Sequence, residues 1–336
     1  MEGVGREIRL VARPEGFPGE DLFEVAETPI PAPAEGQVLI RNAYFSVDPY
    51  MRPRMNDVRS YVAPFTLGEA MTGGAVGRVA VSRNARYSEG EWVLHQLGWR
   101  EWALSDGATL RRLDPTAAPI STALGVLGMP GFTAWYGLFV LGEPKEGDTV
   151  LVSGAAGAVG SAAGQMARIA GCRVIGSAGT AEKLEWLREL GFDAVFDYNQ
   201  QRPYAALAEL APDGIDVYFD NVGGEHLEAA IGALGNHGRI VACGSISRYN
   251  DAAPSPGPRN MFMVVTKRLR IQGYIITDHF EQFGEFAREA AGWVHEGRLT
   301  HRETIVEGIE NAPRAFLGLL RGENIGKMLV KVGPDE

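Results

Sequence analysis

The spacing of apolar residues changes partway along this chain. Up to about residue 120 they fall in short runs, among them 37–40, 74–81 and 91–94, separated by Gly/Pro turns. That spacing predicts a β-rich unit. After Pro119 the runs lengthen and predict a helix at 122–127, stopped by Gly128-Met129-Pro130-Gly131, and a second helix at 132–141. Strands are then expected at 149–153, 173–177, 194–197, 215–219 and 239–243, and helices at 161–170, 181–190 and 224–234. Gly191 stands where an αL cap would end the second of these helices. Strand and helix alternating at this interval predict a parallel, doubly wound sheet. A strand at 270–276 and a long helix at 280–296 follow. The tail (strand 303–306, helix 311–320, strand 327–332) has mixed character and is expected to rejoin the N-terminal unit. The fold class is therefore α/β, divided as 1–125, 126–300 and a returning 301–336.

The stretch that joins strand 149–153 to helix 161–170 is Ser153-Gly154-Ala155-Ala156-Gly157-Ala158-Val159-Gly160. Strand, tight turn of small residues, helix is the context a dinucleotide fingerprint requires. Gly157 lets the backbone approach a pyrophosphate, and Gly160 lets the helix pack closely on the strand. The helix N-terminus, at Ala158 and Val159, offers N–H groups and a partial positive charge to the phosphates. Ala155 takes the first position of the usual glycine triplet. The next strand ends in Ser177-Ala178-Gly179-Thr180, with no acid at its tip. An acid there binds ribose hydroxyls and repels a 2′-phosphate. Small residues, with Lys183 just beyond to supply positive charge, favour NADPH over NADH.

Composition narrows the classes. A net charge of −10 argues against a general nucleic-acid binder. No run approaches the ~18 apolar residues of a membrane span. Met1 to Arg6 lacks a signal-peptide core, so the cytoplasm is the default. Two cysteines, Cys172 and Cys243, exclude a disulfide framework and a cysteine-rich zinc site.

Six stretches carry a family likeness: Val47-Asp48-Pro49-Tyr50-Met51-Arg52, Gly128 to Ala134, Ala155 to Gly160, Tyr218 to Gly224, Gly238 to Gly244, and Gly322 to Lys327. In this order they resemble, end to end, the zinc-free medium-chain dehydrogenase/reductases, and within them the prostaglandin reductase, alkenal/one double-bond reductase and curcumin reductase group. The resemblance implies a GroES-like catalytic domain, split between the N-terminus and the tail, around a Rossmann domain. It also implies NADPH, a homodimer, and reduction of the carbon–carbon double bond of a small α,β-unsaturated ketone or aldehyde. The zinc-dependent relatives need a catalytic cysteine and usually Gly-His-Glu in the first domain. Here Gly68-Glu69 lacks the histidine and no cysteine precedes Cys172, so no metal is expected.

Enone reduction needs donors for the oxygen on which enolate charge develops. Tyrosine suits that role, and Tyr50 and Tyr249 are the candidates, both facing the substrate cleft by similarity to the double-bond reductases. The resemblance further implies Met129 and Thr133 at the nicotinamide end, Tyr198 beside the adenosine phosphate and Asn221 on ribose or phosphate. It puts Cys243, Gly244, Ser245 and Tyr249 along the cofactor, Tyr274, Ile275 and Ile276 beside the nicotinamide, and Asn324 closing over the cofactor. His95 is either a proton donor or a structural residue. Two competing functions share the features so far: an NADPH quinone reductase, and a non-catalytic NADPH-binding regulatory protein.

Overall fold

The computed structural model describes residues 3–335; Met1 and Glu2, where the stretch inspected for a leader begins, lie outside the described residues. The chain opens with an antiparallel hairpin of β1 (Val4–Leu10) and β2 (Phe23–Pro29). Then come β3 (Val38–Ser46), a helical turn α1 (Met51–Arg54), β4 (Ala75–Ser82), β5 (Trp92–His95), β6 (Trp102–Ser105) and β7 (Arg111–Leu113). The middle of the chain runs α2 (Met129–Trp135), β8 (Thr149–Val152), α3 (Ala158–Ile169), β9 (Arg173–Ala178), α4 (Ala181–Glu189), β10 (Ala194–Asp197), α5 (Pro203–Leu210) and β11 (Ile215–Asp220). It continues with α6 (Gly224–Ala233), β12 (Leu234–Ala242), α7 (Phe262–Thr266), β13 (Arg270–Gly273) and α8 (Phe283–His295). The tail holds β14 (Glu303–Glu307), α9 (Ala312–Leu320) and β15 (Lys327–Lys331).

Two compact units result. One runs up to Leu124 and regains Glu303–Asn324 and the chain from Met328; the other is Gly125–Arg302 with Ile325–Lys327. In the first, the sheet order is β14-β15-β3-β4-β5-β7, with β6 also on β3. β3 is almost wholly buried, with apolar runs Val38–Ile40 and Ala43–Phe45 on either side of Arg41 and Asn42. The tail belongs here for a packing reason. Phe316 of α9 meets the fully buried Trp99 edge-on at 6.1 Å, while Phe45 of β3 stacks on the same indole at 5.5 Å.

In the second unit every strand is parallel, in the order β10-β9-β8-β11-β12-β13. The strands alternate between two cores. Val150, Val152, Val174, Val217 and Phe219 pack with α2, α3, α4 and α8. Leu151, Ile175, Phe196, Tyr218 and Ile240 pack with α5 and α6 on the other face. Burial on both faces explains apolar runs without polar alternation.

Gly191, at φ +81°, ends α4 as expected, its N–H donating to Arg188 and that of Phe192 to Leu187. Several elements differ from the sequence reading. Met129-Pro130 begins α2 rather than ending a helix, because proline is at home in a first turn, and 120–124 forms a 3₁₀ segment. α5, α7, β1, β2, β6 and β7 were not anticipated. β13 ends at Gly273, and 276–282 turns into 3₁₀ helix.

Candidate active site

Strand order reverses direction at β8 and β11, which lie side by side. The crevice at the carboxyl ends of such a pair is where open α/β sheets take ligands. On the β8 side stands the fingerprint turn. Gly154 adopts φ +57°, and Gly157 is the N-cap of α3 with no side-chain cap. The first-turn N–H groups of a helix have no intrahelical acceptor, so Ala158, Val159 and Gly160 present donors here. A Cβ on Gly157 would meet only the Gly154 carbonyl, at 3.3 Å, and would fill the space a pyrophosphate needs. A Cβ on Gly160 would lie 2.8 Å from the Ala155 Cα and collide with the Gly154 carbonyl oxygen. Close helix–strand packing therefore requires glycine there. The tail contributes as well: the Gly326 N–H donates to the Ala156 carbonyl at 2.8 Å.

On the β11 side a buried carboxylate organises the loops. Oδ1 of Asp220 accepts from the Tyr218 hydroxyl (2.7 Å), the Ser153 hydroxyl (3.3 Å) and the N–H groups of Val222 (3.0 Å) and Gly223 (2.7 Å). Burial pushes the Asp220 carboxyl up, and these donors pull it back down in part. Asn221 is pinned to β8 twice, its N–H to Ser153 Oγ at 3.0 Å and its Nδ2 to the Ser153 carbonyl at 2.8 Å. The Asp220 carbonyl in turn accepts from the N–H groups of Cys243 and Gly244, both at 2.9 Å. Asn221, Gly244 and Ser245 thus sit on loops tied to the fingerprint strand. At the end of this chain the Ser245 N–H donates to the Tyr249 hydroxyl oxygen at 3.3 Å. That bond occupies a lone pair and leaves the phenol proton for another acceptor. Burial raises the Tyr249 pKa, so the proton is present at neutral pH.

Other candidates form two further groups in the same unit. The Tyr274 hydroxyl donates to the Thr133 carbonyl at 2.7 Å and hydrogen-bonds the Cys243 thiol, whose pKa burial pushes up to about 12. The Thr133 hydroxyl donates to the Met129 carbonyl at 2.8 Å, which leaves its oxygen as an acceptor. Ile275 is half-buried and Ile276 is buried in the core beside α2 and α8. At the tip of β9, Thr180 caps α4 by accepting from the Lys183 N–H at 3.3 Å. Desolvation lowers the pKa of the half-buried Lys183 ammonium. Gly179 lies against Tyr198, where a Cβ would come 2.6 Å from the phenol oxygen. Ser177 is fully buried.

Tyr50, Asn324 and His95 belong to the first unit. Tyr50 precedes α1, and Arg54, one turn on, hydrogen-bonds its hydroxyl. Burial and Asp48 raise the Tyr50 pKa, against the pull of Arg54. Asn324 is buried. His95 is settled as structural: Nδ1 accepts the Leu97 N–H at 3.0 Å, so Nε2 carries the proton and donates to Asn42 Oδ1 at 2.8 Å. Complete burial, with Arg100 nearby, drops its pKa to about 3, so the ring stays neutral and its one N–H is held by Asn42.

Ser153, Tyr218, Asp220, Arg54 and Gly326 were not picked out as site residues from sequence. The available signal was Asp220 itself, a carboxylate at the end of an apolar strand just before two glycines. A cavity of about 700 Å³, lined in part by Gly224, Ser245, Arg248 and the proline-rich 254–258 stretch, also lies in this unit. Among the described residues, no three His, Cys, Asp or Glu side chains gather to hold a metal.

A β-rich unit completed by the tail, and a parallel six-stranded unit with a glycine fingerprint, define an oxidoreductase of medium-chain architecture. Two family models agree, the N-terminal domain of oxidoreductase over residues 6–113 and zinc-binding dehydrogenase over residues 158–292. The chain belongs to the medium-chain dehydrogenase/reductase family. It is similar to the NADPH-dependent curcumin reductase of Escherichia coli, with 44% identity over 97% of this chain and 96% of the relative. It is also similar to the NADP⁺-dependent 2-alkenal reductase of Nicotiana tabacum, with 39% identity over 94% of each. The crystal structure of CurA from Vibrio vulnificus in complex with NADPH superposes with a TM-score of 0.94 at 44% identity, covering 98% of this chain and 99% of that one.

Proposed function

We propose that this enzyme reduces the carbon–carbon double bond of α,β-unsaturated ketones or aldehydes with NADPH. The carrying observation is the Ser245–Tyr249 bond, in which the phenol oxygen accepts from a backbone N–H and its own proton is left for another acceptor. The cofactor fits the residues present: an open Gly157, the first-turn donors of α3, a β9 tip without an acid, and Lys183 beyond it. When bound, NADPH supplies the hydride, which goes to the β-carbon. Tyr249 donates to the carbonyl oxygen as it takes enolate charge, and Tyr50 is the second candidate donor by the family resemblance. Ser153 and Asp220 hold the loops that carry Asn221, Ser245 and Tyr249. In this reading the first unit is the catalytic domain and the second the cofactor domain.

The same reading makes the enzyme a cytoplasmic homodimer. Among the described residues no helix is long and apolar enough to cross a membrane. Every residue of the sheet-edge strand β13 is exposed, and Phe262 and Val265 stand open on the neighbouring α7.

Lys183→Ala is expected to raise the KM for NADPH roughly tenfold or more, since a hydrogen bond to a charged group is worth about 1.5–3 kcal/mol. The KM for NADH should barely move. Steady-state kinetics with both cofactors checks this, and an equal loss with NADH would remove Lys183 from phosphate recognition.

A further inference from the structure

Cys243 and Tyr274 each stand one residue past the last pair of β12 with β13, Ala242 opposite Gly273. The parallel register sets the thiol and the phenol opposite each other, and they hydrogen-bond. A third group fixes the direction of that bond. The Tyr274 hydroxyl gives its one proton to the Thr133 carbonyl at 2.7 Å, and a carbonyl only accepts. The phenol oxygen is left to accept, so the thiol donates to it. A directed relay results, from the Cys243 S–H to the Tyr274 O–H to the Thr133 carbonyl.

The receiving end is a helix that changes its winding there. α2 stops at Trp135, and the chain goes on as the wider π-helix over Tyr136–Gly142. The Thr133 carbonyl, in the last α turn, takes the Tyr136 N–H as well as the phenol. Short π segments recur at functional sites, and a side chain inserted at the backbone ladder is a known cause of a break in it. Here that side chain is Tyr274. A Cβ on Gly137 would come 2.5 Å from its hydroxyl oxygen and 2.8 Å from the Phe219 ring, so glycine is what admits the phenol to the helix backbone. The Tyr136 ring packs beside it, with centroids 5.6 Å apart. The donating end leads to Tyr249. The Asp220 carbonyl holds the Cys243 N–H at 2.9 Å, and two residues on the Ser245 N–H donates to the Tyr249 hydroxyl oxygen.

We propose that Tyr274 is a positioning residue for the reduction. Its hydroxyl ties α2, which carries Met129 and Thr133, to the end of β12, from which the loop runs on to Tyr249, and so fixes the spacing between the two. It acts through Thr133 and Cys243. The inference rests on the reading that these two elements flank the reacting atoms, so its test reads the tether apart from turnover.

Tyr274→Phe keeps the ring beside Gly137 and removes only the hydroxyl. Infrared absorption in the S–H stretching region is recorded on the cofactor-free full chain. Loss of the acceptor should move the Cys243 band to higher frequency and leave the Cys172 band in place, because the Cys172 thiol donates to the Lys145 carbonyl. In steady-state kinetics with NADPH and an enone, Tyr274→Phe is expected to lower kcat roughly tenfold with the KM for NADPH within about twofold, since a remote change that misplaces reacting groups can cost ~10² in rate. Cys243→Ala, which breaks the other arm, should lower kcat about threefold, and the double variant should be no slower than Tyr274→Phe alone. A tyrosine that only packs would show neither the split nor the coupling. A free-thiol band in the wild-type spectrum overturns the proposal and needs no variant to fold. So does wild-type kcat in Tyr274→Phe, or a double variant whose losses multiply. Wild-type protein that shows the hydrogen-bonded thiol but reduces no enone overturns the positioning role together with the functional reading beneath it.

Discussion

Tyr249→Phe and Tyr50→Phe are each expected to lower kcat on a good enone roughly tenfold, and the double variant roughly 10²–10³-fold, with KM little changed. One preorganised donor to a developing oxyanion is worth ~10²–10³ in rate, and any second donor softens the loss of the first. Both substitutions keep the ring and remove only the hydroxyl. The loss falls on kcat because an enolate oxygen accepts more strongly than a ketone oxygen. At Tyr249 the change removes the proton left available by the Ser245 N–H. At Tyr50 it removes a hydroxyl hydrogen-bonded by Arg54. Steady-state kinetics on the two single variants and the double variant checks the claim. A double variant with wild-type kcat would make both tyrosines packing residues.

Acidification is expected to weaken each unit by about 2 kcal/mol between pH 7.5 and pH 5, through one buried histidine apiece. His95 of the first unit is held neutral to about pH 3, and His226 of the second to about pH 4. An unfolded histidine takes its proton near pH 6.5. Below that pH the unfolded chain binds a proton that the folded chain refuses, so stability falls as pH falls. The loss builds from about pH 6.5 and levels off only below the folded values. Hydrogen exchange of core amides, corrected for intrinsic rates, should therefore speed up about 30-fold in each unit. His226→Phe should abolish the change in the second unit and leave it in the first. An unaltered slope in the second unit would contradict this assignment.

Much of this was legible in the chain, and the exceptions have physical causes. Periodicity gave the parallel sheet because its strands are buried on both faces, so Val150-Leu151-Val152 reads as an uninterrupted apolar run. It missed α5, whose eight residues begin at a proline with no side-chain cap and carry a short alanine-rich face. It stopped short of Leu234 in β12, because Gly235, Gly238 and a left-handed His237 (φ 64°) break the apolar pattern there. The fingerprint glycines were legible because each answers a local steric demand. The Asp220–Ser153–Tyr218 network was not. Ser153 and Tyr218 are 65 residues apart, and only the pairing of β8 with β11 brings their hydroxyls to 2.9 Å. Likewise the role of His95 depended on Asn42, 53 residues away on another strand.

The central claim is that hydride goes to the β-carbon of an enone. The direct measurement uses NADPH carrying deuterium at the transferring position, with an α,β-unsaturated ketone as substrate and the product analysed by mass spectrometry and NMR. The expected product is the saturated ketone with deuterium on the β-carbon. An allylic alcohol with deuterium on the former carbonyl carbon would contradict the account.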